Sequence, residues 1–291
     1  MSSITHHPLI SVIIPTYNNE DTLKTAVDSI LNQTYAPLEV IIVNDGSTDA
    51  TRSIADTIAA SDRRVTVVDS VPDPKRYDTR LKRNINAGYS ARNTGLAHAR
   101  GELITFQDAD DASLKNRIEI QYGLLTKYKA MHVMVDWFQF TDARLGSRFD
   151  ITRFQKIHGI THIPPEELYA LSQKTKGWIP KMCPTVNRTI PFYIKRWRYI
   201  NRLFFGSLDP YPGTGNSPLF RREVVSSVSF RSLQNRLWPS FMGRGADRDF
   251  NFQVAETFRQ SHVFLLPLYM WRQKTDNERY KDMPIDSFLL R

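Results

Sequence analysis

Hydrophobic positions change period several times along the first 130 residues. LISVIIP, residues 9–15, is a near-continuous β-branched run closed by a proline, the pattern of a strand buried on both faces. From Glu20 the period lengthens. Leu23, Val27, Ile30 and Leu31 fall at helical spacing in NNEDTLKTAVDSILNQT, which predicts a helix laying one stripe on a sheet. LEVIIVNDGSTD predicts a second strand over residues 39–43, a turn at Asp45 and Gly46, and Ser47 or Thr48 as N-cap of a helix through Ile54 and Ile58. VTVVDS from Val65 predicts a third strand, SARNTGLAHARG a helix stopped by Gly101, and ELITFQ a fourth strand.

This alternation predicts right-handed βαβ units, hence an α/β fold with a mostly parallel central sheet and helices on both faces. Beyond about Tyr128 the pattern is less regular. MHVMVDWFQF predicts another strand, and residues 141–217 are rich in aromatics, prolines and cations without a clean period. No linker-like stretch separates the halves, so the expectation is a single continuous domain with a nucleotide half (1–128) and a more irregular second half (129–291).

Ligands of such sheets bind beyond the carboxyl ends of the strands, where PTYNNE, NDGSTD and QDADDAS all lie. In QDADDAS, Asp111 or Ser113 is a candidate N-cap for a helix through Leu114, Ile118 and Leu125. Capping leaves Asp108 and Asp110 unexplained: in an extended segment they point to one side and repel each other unless a cation or donors sit between them. A calcium loop counted from Asp108 reaches Glu119 at its twelfth position. Ala112 and Ser113 then occupy positions that need a side-chain ligand and a glycine. A hard divalent ion held by one or two carboxylates together with substrate phosphates fits better.

Composition narrows the partners. The net charge of +9, from 39 Lys and Arg against 30 Asp and Glu, favours an anionic partner. A single cysteine, Cys183, excludes an intramolecular disulfide and a multi-cysteine zinc cluster. The N-terminal residues carry no basic n-region, and the apolar run that follows is too short to span a bilayer, so the expectation is a soluble cytoplasmic protein that can touch a membrane surface. His158 and His162 are four apart, but Gly159 and the following prolines argue against a shared helical face. FYIKRWRYINRLFF, residues 192–205, interleaves cations and aromatics. It suits an interfacial helix, a nucleic-acid groove, an acceptor platform or a packed helix with snorkelling cations. Walker A and G-x-G-x-x-G motifs are absent, which disfavours a P-loop NTPase or a dinucleotide enzyme.

PTYNNE (15–20), VNDGSTD (43–49), NAGYSARNTGLAHARGE (86–102) and FQDADD (106–111) together resemble the ordered motif series of the family 2 glycosyltransferases, the large GT-A group. The likeness covers roughly the first 120 residues. It implies a GT-A-like fold and an inverting, metal-dependent transfer from a nucleotide sugar, a UDP-sugar above others, to a hydroxyl of a glycan or lipid-linked acceptor. It further implies that Asp110 binds Mn²⁺ or Mg²⁺ and that Asp108 binds the ribose or joins the metal shell. Pro15, Thr16, Tyr17, Asn18 and Glu20 fall in the nucleotide-binding motif, with Thr16 and Tyr17 beside the base and Asp45 accepting from it. For Asp45 an Asx-turn beside Gly46 is the structural alternative. Arg92 and Asn93 stand where a guanidinium reaches a diphosphate, or where a surface ion pair forms. The cations of DPKRYDTRLKRN, Lys75, Arg76, Arg80, Lys82 and Arg83, form either an electropositive lid or a solvated loop.

An inverting transfer needs a carboxylate to take the acceptor proton. MGRGADRDFNFQVAE resembles the family's acidic element before a helix, which implies Asp247 as base ahead of Asp249, one of the two also capping that helix. Ala246 stands where many members have glutamate. GTGNSPLFRREVV resembles the acceptor-side segment and points to Gly215 and Asn216. LPLYMWRQKTDNE, where some members carry a histidine ligand, has none. Two alternatives remain: a sugar-phosphate nucleotidyltransferase, whose glycine-rich signature PTYNNE lacks, and a non-catalytic nucleotide-sugar or nucleic-acid binding module. Nucleic acid is not the expected partner.

Overall fold

The computed structural model describes residues 7–71, 77–78, 83–84, 88–191, 194, 204, 206, 209–238, 245–272 and 276–291. The first half runs β1 (Ile10–Thr16), α1 (Leu23–Leu31), β2 (Leu38–Asn44), α2 (Thr51–Ser61), β3 (Val65–Asp69), the two-residue strands β4 (Tyr77–Asp78) and β5 (Arg83–Asn84), α3 (Tyr89–His98) and β6 (Leu103–Phe106). Then follow β7 (Ala112–Ser113), α4 (Arg117–Lys127), β8 (His132–Gln139), β9 (Arg148–Phe149), α5 (Ile151–His158), β10 (His162–Ile163), α6 (Pro165–Thr175), α7 (Trp178–Met182) and α8 (Pro184–Thr189). The chain closes with β11 (Leu219–Arg221), α9 (Ala246–Phe258), β12 (Ser261–Trp271) and β13 (Leu289–Leu290).

The main sheet has the order β10-β12-β8-β11-β6-β1-β2-β3, with β7 paired to β12. Its two wings are parallel within themselves: β3, β2, β1 and β6 on one side, β8 and β12 on the other. The three-residue strand β11 runs antiparallel to both β6 and β8. The sheet is therefore mixed, and the two wings point the same way. The C-terminal ends of β1, β2, β3, β6, β8 and β12 thus share one edge, and the residues that enter β11 arrive at that same edge.

β2 is buried along its whole length because both faces are covered, which is why its sequence does not alternate. Val12, Ile14, Val40 and Ile42 face Leu23, Val27 and Ile30 of α1 and Ile118 and Leu125 of α4. Ile13, Ile41 and Val43 face Ala91 and Leu96 of α3 and Phe250 and Val254 of α9. At Gly95 a Cβ would come within 2.3 Å of the Ile13 side chain, so only glycine lets α3 press this closely on β1.

The helix starts differ from the sequence expectation. α2 begins after Ala50 without a side-chain cap, and Ser47 Oγ instead accepts the Asn18 amide. α4 begins after Asn116, so neither Asp111 nor Ser113 caps it. The Ser113 hydroxyl donates to Gln107. α9 begins after Gly245 in the left-handed region (φ 94°), so Asp247 and Asp249 lie inside its first turn, where carboxylates favour the dipole without capping it. Ser47, Thr48, Asp111 and Asp249 each find a partner more distant in sequence instead.

His158 ends α5 and His162 lies in β10, so they share no helix. Lys75, Arg76, Arg80 and Lys82, and most of the segment 192–205, lie outside the described residues. Among the described residues no helix is long and apolar enough to cross a membrane.

Candidate active site

The site forms at the shared strand edge. Gln107 donates its amide to Ile13, which prolongs β6 by one residue and delivers Asp108 to the rim. Asp108 accepts from Arg92 Nη2 at 2.7 Å and from Asn216 Nδ2. Arg92 is itself buried, with its guanidinium 5.7 Å from the Phe230 ring. Asn216 reaches Asp108 because it sits just before β11, which enters the sheet beside β6 from that edge.

The oxygens of Asp108, Asp110 and Asp111 all lie within 4.8 Å of one another. Asp110 is exposed, whereas Asp111 is buried. Burial pushes the Asp108 carboxyl up, Asp110 and Asp247 push it further, and Arg92 and Asn216 pull against them. Asp111 is pushed up to about 8 by burial and then by Asp108 and Asp110, against the Arg272 amide and the Tyr269 hydroxyl. Three clustered carboxylates form an all-oxygen donor set with excess negative charge, the chemistry that suits a hard divalent cation.

Tyr269 is the hub beneath them. Its hydroxyl donates to Asp111 Oδ2 at 2.9 Å and accepts from the Asp108 amide and from Asn216 Nδ2, both at 3.2 Å. Three residues on, the Arg272 amide donates to Asp111 Oδ1 and its Nε to the Asp110 carbonyl, both at 2.8 Å. The Arg272 guanidinium also lies 3.8 Å from the Phe140 ring. Both residues come from the end of β12, which β7 brings alongside the acidic loop. Sequence reading missed Tyr269, an apolar-strand tyrosine, and met Arg272 only where a histidine ligand was sought. His262, ten residues before Arg272, is about 30 Å away along the strand. It pairs with His162 at 2.9 Å.

Asp247 approaches from α9. A Cβ added to Gly215 would meet Asp247 Oδ2 at 2.4 Å, so the carboxylate lies directly against the backbone one residue before Asn216. Asn251, one turn further along α9, donates to the Gly215 carbonyl at 2.7 Å and pairs with the buried His132 at 3.1 Å. This clamp on the 215–216 segment had no sequence signal, since it joins residues more than thirty positions apart.

Asp249 is fully buried and structural. One oxygen accepts the amides of Leu237 and Trp238, and the other accepts Gln253 Nε2. As a buried anchor it neither caps α9 nor faces the acceptor side, and the expectation that offered it as the alternative base is corrected accordingly. Asn93 binds the Phe230 backbone at both ends of its amide, 2.8 and 3.0 Å, and so seats the ring beneath Arg92 instead of presenting itself to a nucleotide.

In the PTYNNE segment, Asn19 Oδ1 accepts from Thr16 Oγ1 and from the Tyr17 amide, and the Tyr17 ring is exposed. Pro15 lies within β1. Asn18 and Glu20 bind the neighbouring turn: Asn18 Oδ1 accepts the Thr48 amide at 2.8 Å and Glu20 Oε2 the Ala50 amide at 2.9 Å. Their side chains brace the β1 and β2 loops against each other. Asp45 is buried, donates its amide to the Thr16 carbonyl and accepts from the Ser70 hydroxyl.

The family model for glycosyl transferase family 2 matches residues 11–202. The chain belongs to that family. Among its relatives is the *Escherichia coli* enzyme WfgD, named UDP-Glc:alpha-D-GlcNAc-diphosphoundecaprenol beta-1,3-glucosyltransferase. It is 33% identical over 119 residues, 41% of this chain and 42% of that one. The chain spans less than half the length of the first curated relatives it matches. Among solved structures, S. aureus TarS 1–349 in complex with UDP-GlcNAc superposes with TM-score 0.52 at 14% identity over 94% of this chain and 61% of that one. The mannosyltransferase PcManGT from *Pyrobaculum calidifontis*, in complex with GDP-Man and Mn²⁺, gives 0.50 at 18% identity over 97% and 60%. These likenesses establish a GT-A-type fold for this family 2 chain.

Proposed function

We propose that this family 2 chain is a metal-dependent, inverting glycosyltransferase that moves a sugar from a nucleotide donor, a UDP-sugar above others, to a hydroxyl of a glycan or lipid-linked acceptor. The observation that carries this reading is the approach of Asp247 to Gly215, next to the Asn216 that binds Asp108. A carboxylate from the second half thereby meets the acidic rim of the first. The names of the two complexed neighbours and of the *E. coli* relative support a nucleotide-sugar donor, and the latter's name supports UDP and a lipid-linked acceptor. A cytoplasmic protein in peripheral contact with a membrane accords with such an acceptor.

Asp110 and Asp108 would hold Mn²⁺ or Mg²⁺, with Asp111 behind them locked by Tyr269 and Arg272. The ion supplies neutralisation of the charge that grows on the diphosphate as the glycosidic bond breaks. Asp45, Thr16 and Tyr17 line the base side, where the Tyr17 ring, 38% exposed, would stack on the base. Arg92, held over Phe230, fixes Asp108 and adds a cation at the diphosphate. Asp247 takes the proton from the acceptor hydroxyl as its oxygen attacks the anomeric carbon, and sits in the first turn of α9 with no capping duty to forfeit.

A screen of nucleotide sugars for hydrolysis, with Mn²⁺ and with EDTA, tests the reading on wild type, Asp110→Ala and Asp247→Asn. One donor should turn over slowly, require metal, and stay intact with Asp110→Ala. If no donor turns over and calorimetry detects no nucleotide binding with or without metal, the reading fails.

A further inference from the structure

The chain's positive charge is not spread evenly. Between Glu167 and Asp209 there is no carboxylate, while Lys174, Lys176, Lys181, Arg188, Lys195, Arg196, Arg198 and Arg202 all fall there. Two short helices of this segment, α7 and α8, also expose large apolar side chains. Trp178 is 60% exposed, Met182 66% and Val186 48%, among the most exposed large apolar residues described. Trp178 and Met182 are four apart on α7 and so share its face. Lys181 and Arg188 on the same pair of helices are exposed as well. A tryptophan and a methionine standing in water among cations, with no acid nearby in sequence, match the chemistry of an interfacial surface.

This surface, together with the preceding α6, is tied to α9 and to the 236–238 segment that anchors its first turn. Trp238 Nε1 donates to the Ser172 carbonyl at 3.0 Å, Lys176 Nζ pairs with Glu256 at 2.8 Å, and Asn187 Nδ2 reaches the Arg236 carbonyl at 3.3 Å. The next two residues, Leu237 and Trp238, give their amides to Asp249, in the same helical turn as Asp247. We propose that the α7–α8 surface docks on an anionic lipid bilayer, with Trp178 and Met182 entering the interface and Lys181 and Arg188 meeting the headgroups. The proposal deepens the acceptor side of the functional reading, because a surface seated on the bilayer would carry α9, and Asp247 with it, towards a lipid-linked acceptor. Charge complementarity selects the bilayer over a second copy of this chain, whose equivalent surface is equally cationic.

Co-sedimentation with phosphatidylcholine vesicles, with and without phosphatidylglycerol, tests the docking directly and needs no sugar donor, so it stands or falls apart from the transferase reading. Wild type should bind the phosphatidylglycerol vesicles and lose binding with added salt. Trp178→Ser with Met182→Ser, and separately Lys181→Glu with Arg188→Glu, should each weaken it by about tenfold or more with unchanged circular dichroism. Equal, weak sedimentation with both vesicle types would overturn the proposal, as would variants that bind like wild type. Sedimentation velocity in which the Trp178 and Met182 pair converts a dimer to monomer, without any effect on lipid binding, would assign the surface to self-association and overturn it too.

Discussion

The two wings of the sheet build the same rim by different means. In the wing of β3, β2, β1 and β6, each polar residue follows its own buried strand, so Asp45 and Asp108 arrive at the rim by local succession. In the other wing the contributors come from the approach to β11, the first turn of α9 and the end of β12. They are held by bonds spanning 36 to 162 residues, such as Asn251 to Gly215 and Arg272 to Asp110. The first wing stores its site in strand order; the second stores it in packing. Substitutions should therefore act differently on the two sides.

The largest contrast is between Asp110→Ala and Asp247→Asn. On the proposed reading, Asp110→Ala should abolish metal-dependent donor binding and with it turnover, an activity loss of about a thousandfold or more. Asp247→Asn should lose about 10²–10⁴ in transfer rate while calorimetry finds donor affinity retained. Equal loss of donor affinity in both variants would erase the distinction between the wings.

Gly215→Ala probes the seam. Its Cβ would displace Asp247, and a shift of about 1 Å at a reacting group costs on the order of a hundredfold in rate, which a turnover assay would register beside a nearly unchanged melting temperature. Asp249→Ala should instead unfold the second wing first. Leaving the Leu237 and Trp238 amides without their carboxylate should cost about 3 kcal/mol in denaturant unfolding, with donor contacts of the first wing untouched by the change itself. The smallest effect concerns His132. Burial pushes its pKa down to about 4, so the folded state holds it neutral while the unfolded chain protonates near its ordinary value. Stability should therefore fall as pH drops from about 6.5 to about 4, at up to about 1.4 kcal/mol per pH unit, and His132→Gln should remove that share of the slope in denaturation curves measured across this window.

The legible part of the molecule was the part with a period. LISVIIP, LEVIIV and ELITFQ become β1, β2 and β6 because a strand buried on both faces must be apolar throughout, and that requirement is written in consecutive residues. The acidic cluster was visible for the same reason, since Asp108 follows directly from β6. The expected caps at Ser47, Thr48, Asp111 and Ser113 were not realised: the first three side chains found partners far away in sequence, and Ser113 turned back to Gln107. Tyr269 and Asn251 escaped notice because a single buried tyrosine or asparagine has no local pattern to betray its bonds.

The sequence by itself determined the order of strands and helices in the first half, the family through four motifs in series, and the three carboxylates at one strand end. Those are properties of neighbours along the chain. Only the tertiary structure decided that β11 would run antiparallel between two parallel wings, bringing Asn216 to Asp108, and that β12 would supply Tyr269 and Arg272 beneath Asp111. It also separated two carboxylates two residues apart, burying Asp249 as an anchor and leaving Asp247 at the rim. The physical reason is that hydrogen-bond satisfaction inside a packed sheet is settled by which segments meet in space, and residue order constrains that meeting only weakly.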